Sequence, residues 1–377
     1  MGRAEREELS RSLNSHLNTI HETFQVLDQT PASTLEKVSW EEVIRMGDQV
    51  SKQATTVGML WTGETLEVKA LEENMKAYFN MLQGFLLLSH GSTVGAGPTL
   101  TSCVHASVKQ VVDCTFKLFK ESVSLYGSLS LSLSLSLMRA SNSDRKLSIP
   151  TLVGAVWEAC SALKKTPATN ITAIGRAMTQ VAVSIKDVVR EMRELKPGSY
   201  DTTDEASNQN STKTEGGALD DDDESGGDDL GNDLSPEEMK VAQSAIGVVS
   251  ETLVVIKELI RSITSLLKQE KPADNGDFVN SLENLLKQCQ AIGIQIDELG
   301  ACLYPPQEIH ALKTAVDKIS SIINDMLVEV ESIKGTSETF LQACSGLRDS
   351  LRQFKSELGC NYMVDLEVDM QKVVLDN

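Results

Sequence analysis

The feature that most constrains the fold is a regular spacing of apolar residues in the last third of the chain. These residues follow one another at alternating steps of three and four, which are the a and d positions of a heptad. The first stripe consists of Ile246, Val249, Leu253, Ile256, Ile260, Ile263 and Leu267. Three further segments, 282–303, 309–333 and 340–358, repeat the spacing. Four consecutive amphipathic helices predict a helical bundle.

The first of these helices has a well-marked start at Ser235. Pro236 and two glutamates follow this serine. A serine N-cap, a proline at the first helical position and acidic residues in the first turn together predict that a helix begins here. The pair Ser235-Pro236 is also a minimal proline-directed phosphorylation site, but the capping interpretation accounts for every residue and is favoured.

The apolar stripe of this helix can be buried against the protein's own helices or against another chain. Residues beside the seam widen the apolar face beyond what a two-stranded coiled coil needs; they are Val248, Val255, Leu259 and Leu266. This width favours burial within the protein's own bundle over an intermolecular zipper. The pattern leaves the oligomeric state open.

A proline doublet separates the second and third of these helices. The corner consists of Leu303, Tyr304, Pro305 and Pro306. A proline inside a helix costs ~3 kcal/mol, and the residue before a proline is pushed away from the helical conformation. The doublet therefore predicts a hairpin corner, where one helix ends and the next begins.

The N-terminal half is also predicted to be helical, although its pattern is less regular. Only 4% of the chain is aromatic, and the composition favours helices over β-sandwiches. We expect six helices here, at about 4–28, 39–61, 64–89, 99–126, 149–164 and 169–195. The predicted fold class is therefore all-α, with two antiparallel bundles.

Three segments interrupt this helical pattern. Residues 197–234 combine glycine, serine and acidic residues with almost nothing to bury, which predicts a disordered linker between bundles at 1–196 and 235–360. Within it, Ser225 resembles an acidophilic kinase site. Residues 128–148 include a Ser-Leu repeat, interpreted as a low-complexity loop, and residues 361–377 form a tail.

The charge and the motifs exclude several classes of function. The net charge of −19 and the lack of a basic patch argue against direct nucleic-acid binding. No phosphate-binding glycine loop, nucleophile elbow or metal-ligand spacing is present, so we predict no enzyme activity, metal or cofactor.

We also expect no membrane span, because no apolar run approaches the required length. The cysteines form no CxxC pair and several occupy apolar positions, so we expect a reducing compartment, the cytoplasm and nucleus.

Three stretches resemble a known family. They are "VSKQATTVGMLW" (50–61), "GAVWEACSALKKTPATN" (154–170) and "IDELGACLYPPQE" (296–308). They resemble the cyclin-D-binding proteins, also called the GCIP family. The resemblance runs in the same order over roughly residues 9–359, with an acidic region between the second and third stretches.

The resemblance implies a non-enzymatic protein of two helical bundles, similar in architecture to vinculin and talin rod bundles. Family members are described as helix-loop-helix and leucine-zipper-like proteins without a basic region, and they bind D-type cyclins and transcription factors. The implied function is to restrain cell-cycle progression and transcription by occupying the dimerisation surface of a helix-loop-helix partner. An alternative hypothesis, based on the talin-like bundles, is a cytoskeletal or adhesion-type scaffold.

Overall fold

The computed structural model describes residues 3–30, 32, 36–62, 67–132, 148–196, 234–268, 276–333 and 337–375. Among these residues, six α-helices precede the acidic segment: α1 (Arg3–Gln29), α2 (Trp40–Thr62), α3 (Val68–Ser92), α4 (Pro98–Ser132), α5 (Ser148–Ala162) and α6 (Asn170–Arg193). Four of the described helices follow it: α7 (Pro236–Ser265), α8 (Gly276–Ala301), α9 (Ile309–Ser332) and α10 (Glu338–Leu375). No β-strand element occurs within these ranges. The all-α prediction is confirmed.

The chain divides into two compact units. Unit 1 comprises residues 1–176 and 269–283, and unit 2 comprises residues 177–268 and 284–377. This division falls inside α6 and α8, whereas the change in composition places it in the acidic segment. Compactness depends on which side chains pack together, and composition alone does not carry that information.

The core of unit 1 is built from the buried faces of α1 to α5. On α2 the buried positions recur every three or four residues, as a helix with one apolar face requires. At the centre, the rings of Tyr78 and Phe79 each lie 4.9 Å from the ring of Phe119. The hydroxyl of Tyr78 shares a hydrogen bond of 3.1 Å with Thr115, and burial raises the pKa of Tyr78 far above its usual range. This aromatic cluster joins α3 to α4.

The core of unit 2 is built around α7 and α10, which run antiparallel. Thr339 donates to Glu258 at 3.0 Å near one end of the pair, and Gly346 approaches Glu251 further along. Between α10 and α9, the ammonium group of Lys355 lies 2.6 Å from a carboxylate oxygen of Asp317. Helix α10 thus runs antiparallel to both α7 and α9, and the predicted apolar stripes of these three helices are largely buried.

The start of α7 confirms the predicted cap. The Ser235 hydroxyl accepts a hydrogen bond from the Glu238 backbone N–H at 3.2 Å, and the Glu238 carboxylate accepts one from the Ser235 N–H at 2.9 Å. Pro236 occupies the first helical position. This reciprocal pair is a capping box, which satisfies two backbone donors that the helix itself leaves unpaired.

The two residues that flank the acidic segment are hydrogen-bonded to each other. The backbone N–H of Leu234 donates to the carbonyl oxygen of Lys196 at 3.1 Å, and both residues belong to unit 2. The segment between them, 197–233, which carries Ser225 and nearly all of the predicted linker, lies outside the described residues. The two flanking residues therefore close a loop within one unit.

Two helices extend beyond the limits that the sequence predicts. Helix α4 continues to Ser132, into the predicted low-complexity loop, and residues 133–147 lie outside the described residues. Helix α10 continues to Leu375, through most of the predicted tail. The apolar stripe that located this helix ends at Leu358, but no glycine or proline follows Gly359 to stop the backbone.

Helix α7 also bears on the expectation that no segment is long enough to cross a membrane. Within the described parts of the chain, it is the one helix whose length and composition would allow a span. The core helix of a soluble protein passes the same test. Several of its apolar residues, including Val248, Val255 and Leu259, are buried inside unit 2.

Candidate interaction surfaces

Two of the sequence stretches that carry the family resemblance pack against each other in unit 1. Residues 50–61 lie on α2, and the stretch 154–170 begins on α5. A Cβ added at Gly58 would lie 2.8 Å from a methyl group of Val153, and one at Gly47 would lie 2.5 Å from Leu163. These two glycines let the helices approach closely, and the pairing shows that α2 and α5 are antiparallel.

Trp157 lies over this helix pair, on its outer side. The indole N–H donates to the carbonyl oxygen of Ser51 and to the hydroxyl of Thr55, both at 3.2 Å. The side chain is nevertheless 46% exposed. Its orientation is thus fixed by polar contacts while a large part of the aromatic ring faces solvent.

An exposed methionine extends this surface along α2. Met59 follows Ser51 and Thr55 at steps of four, so the three residues share one face of the helix. Met59 is 72% exposed, the highest exposure among the large apolar side chains described. We call Ser51, Thr55, Met59 and Trp157 the α2–α5 surface.

The heptad stripe of α7 is mostly inside the protein. Val249, Leu253, Ile256 and Ile263 are buried, Ile246 and Ile260 are half-buried, and Leu267 in the following short helical turn is exposed. The residues that flank the stripe, Val248, Val255, Leu259 and Leu266, are buried as well. The stripe is therefore core rather than free surface.

The proline corner lies between α8 and α9, as predicted, and it supports the start of α7. Leu303 is buried, Tyr304 is 45% exposed, and the bond between Pro305 and Pro306 is cis. The next residue, Gln307, donates through its side-chain amide to the carbonyl oxygens of Glu238 and Leu303, at 3.0 and 3.1 Å. The corner thus ties the end of α8 to the capping box of α7.

Unit 1 also contains a cavity of about 410 Å³ between the ends of α1, α3 and α4. Its lining includes Phe24, Leu86, His90 and His105. Burial lowers the pKa of His90 and so favours the neutral imidazole. The Nε2 atoms of both histidines are themselves shielded from solvent. The wall of the cavity is mainly apolar, and its lining also includes the exposed carboxylate of Asp28, which lies 3.5 Å from Nε2 of His105.

The buried cysteines behave as small apolar residues. Burial raises the pKa of Cys160 and of Cys289 to about 12, and that of Cys344 to about 11. These three thiols stay protonated at neutral pH and so are poor nucleophiles. In the part of the chain that the structure describes, no group of three or more histidine, cysteine and acidic side chains could hold a metal ion.

Sequence reasoning did not identify Trp157 or Met59 as surface residues. Both lie within the stretches that carry the family resemblance, which is the one signal that could have pointed to them. Apolar periodicity assigns such residues to a core face, and only the packing of α2 on α5 reveals which of them remain exposed.

Comparisons with known proteins identify two matching family models and one relative. Residues 42–198 match the family model described as Grap2 and cyclin-D-interacting, N-terminal, and residues 219–328 match its C-terminal counterpart. The Cyclin-D1-binding protein 1 homolog of Xenopus laevis is 22% identical over 298 residues, which cover 78% of this chain and 80% of the relative. The chain belongs to the Grap2 and cyclin-D-interacting family.

Proposed function

We propose that this protein binds D-type cyclins and acts as a protein–protein interaction regulator, through the α2–α5 surface. The observation that carries this proposal is Trp157, a large aromatic side chain that is fixed by two hydrogen bonds and yet half exposed. Interface hot spots are enriched in tryptophan, and a side chain that is already ordered loses little entropy on binding. The name of the Xenopus relative supports the choice of partner.

The apolar stripe of α7 is a poorer site for such a partner. Its central residues, Val249 and Ile256, are fully buried. A partner could pair with them only after unit 2 opened, and the lost packing would oppose binding. A helix-loop-helix transcription factor would therefore also bind an exposed face, and would not exchange its zipper with α7.

The proposed regulatory effect requires only that this protein occupies a binding surface of its partner. A protein that covers part of a cyclin or transcription factor competes with the other partners of that surface, without chemistry of its own. We propose that this competition restrains cell-cycle progression and transcription, and that it takes place in the cytoplasm and nucleus.

The proposal is tested by titration calorimetry of the full chain against a purified D-type cyclin. Trp157→Ala should weaken binding at least tenfold, because truncation of an interface tryptophan typically costs about 2 kcal/mol or more. Met59→Glu should also weaken it, and this variant places a charge on a side chain that is already exposed. Circular dichroism confirms that both variants are folded.

Leu87→Glu provides the matched control. Leu87 lies on α3 in the same unit and is 57% exposed, so the same type of change occurs away from the α2–α5 surface. Its affinity should stay within twofold of the unmodified chain. Absence of binding by the unmodified chain would overturn the cyclin proposal, and equal losses in Met59→Glu and Leu87→Glu would overturn the assignment of the surface.

A further inference from the structure

Helices α6 and α8 approach each other closely along unit 2. A Cβ added at Gly293 would lie 3.3 Å from a methyl group of Val181, and one at Gly300 would lie 3.1 Å from a methyl group of Val188. Each helix advances by seven residues between the two contacts, so α6 and α8 run parallel here. Because neither glycine has a side chain, the backbones of the two helices can lie close together.

A groove opens beside the second of these contacts. It has a volume of about 240 Å³ and is lined by Val188, Glu191, Met192, Leu195, Asp297, Gly300, Ala301 and Tyr304. The apolar residues form most of this lining. Two carboxylates stand in it, and none of these eight residues is basic. The groove therefore combines an apolar wall with negative charge.

The wall of the groove continues along α8 as an exposed stripe. Ile294, Asp297, Ala301 and Tyr304 follow one another at steps of three, four and three, so they share one side of the helix and of the corner that follows it. Ile294 is 62% exposed and Tyr304 is 45% exposed. With a helical rise of ~1.5 Å per residue, the stripe is roughly 15 Å long, which matches about three turns of a second helix.

We infer that this groove binds an amphipathic helix of a partner protein whose apolar face is flanked by lysine or arginine. The apolar wall would receive the apolar face, in the way that helices bind hydrophobic grooves. The carboxylates of Glu191 and Asp297 select basic flanks and repel acidic ones, because like charges brought together at an interface are costly. The site belongs to unit 2 and shares no residue with the α2–α5 surface, and so adds a second binding function.

The test uses the full chain and a synthetic probe of known composition. The probe is a fluorescein-labelled, 16-residue amphipathic peptide with leucine on one face and lysine on both flanks, and the matched peptide carries glutamate in place of lysine. Fluorescence anisotropy at physiological ionic strength measures both affinities. The lysine peptide should bind saturably and at least tenfold more tightly than the glutamate peptide.

Variants separate the groove from the general attraction of an acidic protein for a basic peptide. Glu191→Lys combined with Asp297→Lys should weaken binding at least tenfold. Asp325→Lys combined with Glu331→Lys makes the same change in net charge at exposed positions of α9 and should leave the affinity within twofold. Tyr304→Ala, which changes no charge, should weaken binding at least fivefold.

Two results with the variants would overturn the inference. Equal losses in the two charge-reversed proteins would show that net charge alone attracts the peptide. Unchanged affinity in Tyr304→Ala would show that the apolar wall is not used. Neither result depends on cyclin binding, since the calorimetric test of the α2–α5 surface concerns residues of unit 1 only.

Discussion

Helices α4 and α7 begin in opposite ways, and the contrast shows which contacts a sequence can reveal. The start of α7 is satisfied locally, because Ser235 and Glu238 exchange hydrogen bonds across one helical turn. At the start of α4, the hydrogen-bond donors are paired with a residue that is remote in the sequence. The backbone N–H and the hydroxyl of Thr99 both donate to the carboxylate of Glu283, at 2.9 and 2.7 Å, from a position 184 residues further along the chain.

A second remote residue supports the start of α4. The side chain of Asn170 accepts a hydrogen bond from the N–H of Gly97 at 2.8 Å and donates one to the carbonyl oxygen of Gly95 at 2.9 Å. Asn170 begins α6 and Glu283 lies near the start of α8, and both belong to unit 1. The loop before α4 is thus a junction that holds the beginnings of two later helices.

The largest effect is expected from removal of the remote cap. Glu283 is buried, and Glu283→Ala removes both hydrogen bonds to Thr99 and the negative charge at the positive end of α4. We expect the free energy of unfolding of unit 1 to fall by about 2–3 kcal/mol. Urea denaturation followed by tryptophan fluorescence measures this loss, because Trp40, Trp61 and Trp157 all lie in unit 1.

Glu283→Gln is the matched control for the shape of the side chain. Its amide fills the same space and keeps one acceptor oxygen, so we expect it to lose less than half of the stability that the alanine variant loses. If both variants unfolded at the same urea concentration as the unmodified chain, the carboxylate would contribute nothing and the contrast between the two helix starts would be wrong.

A smaller effect is expected from removal of the local cap. Ser235→Ala leaves the Glu238 N–H without its acceptor, and loss of a serine N-cap costs about 1 kcal/mol. The loss should appear in unit 2, as a change in the helical signal of circular dichroism, while the tryptophan transition of unit 1 stays in place.

Ser235→Asp sharpens this second prediction. Aspartate is as good an N-cap as serine, so this variant should recover most of the lost stability. The opposite result, in which aspartate is as destabilising as alanine, would show that repulsion from Glu238 outweighs the cap. A change of the tryptophan signal in either variant would contradict the assignment of the effect to unit 2.

The starts of α4 and α7 also explain how much of the fold could be predicted from the sequence. The cap of α7 was predictable because all its partners lie within four residues, as was the corner at Pro305, since a proline doublet stops a helix by itself. A break before α4 was predictable from "HGSTVGAGPT", but its partner Glu283 was not, because no local pattern couples residues so far apart.

The candidate interaction surfaces were harder to predict from the sequence than the fold was. Apolar spacing predicted the stripe of α7, whose central residues are core. The exposed positions of Trp157 and Ile294 depend on which faces their neighbours leave uncovered, and that is a property of tertiary packing. The groove beside Gly300 depends on the close approach of α6 and α8, two helices that the acidic segment and α7 separate along the chain.

The smallest effect, and one of opposite sign, is expected when the acidic segment is shortened. Lys196 and Leu234 are hydrogen-bonded within unit 2, so folding of that unit must close the 37-residue segment 197–233 into a loop. Closing a loop of half the length costs about 0.6 kcal/mol less. Deletion of residues 210–227 should therefore raise the free energy of unfolding of unit 2 by about that amount, measured by urea denaturation with circular dichroism.

A full-length variant with glycine and serine at positions 210–227 separates loop length from charge. It removes the same acidic residues but keeps the loop closed over the same number of residues, so it should show no gain from loop closure.

If the segment were instead a tether between two independently folded bundles, as its composition suggests, its length would not enter the folding of either one, and the deletion would leave both transitions unchanged. A loss of stability on deletion would contradict both descriptions, because it would require residues 210–227 to make stabilising contacts of their own.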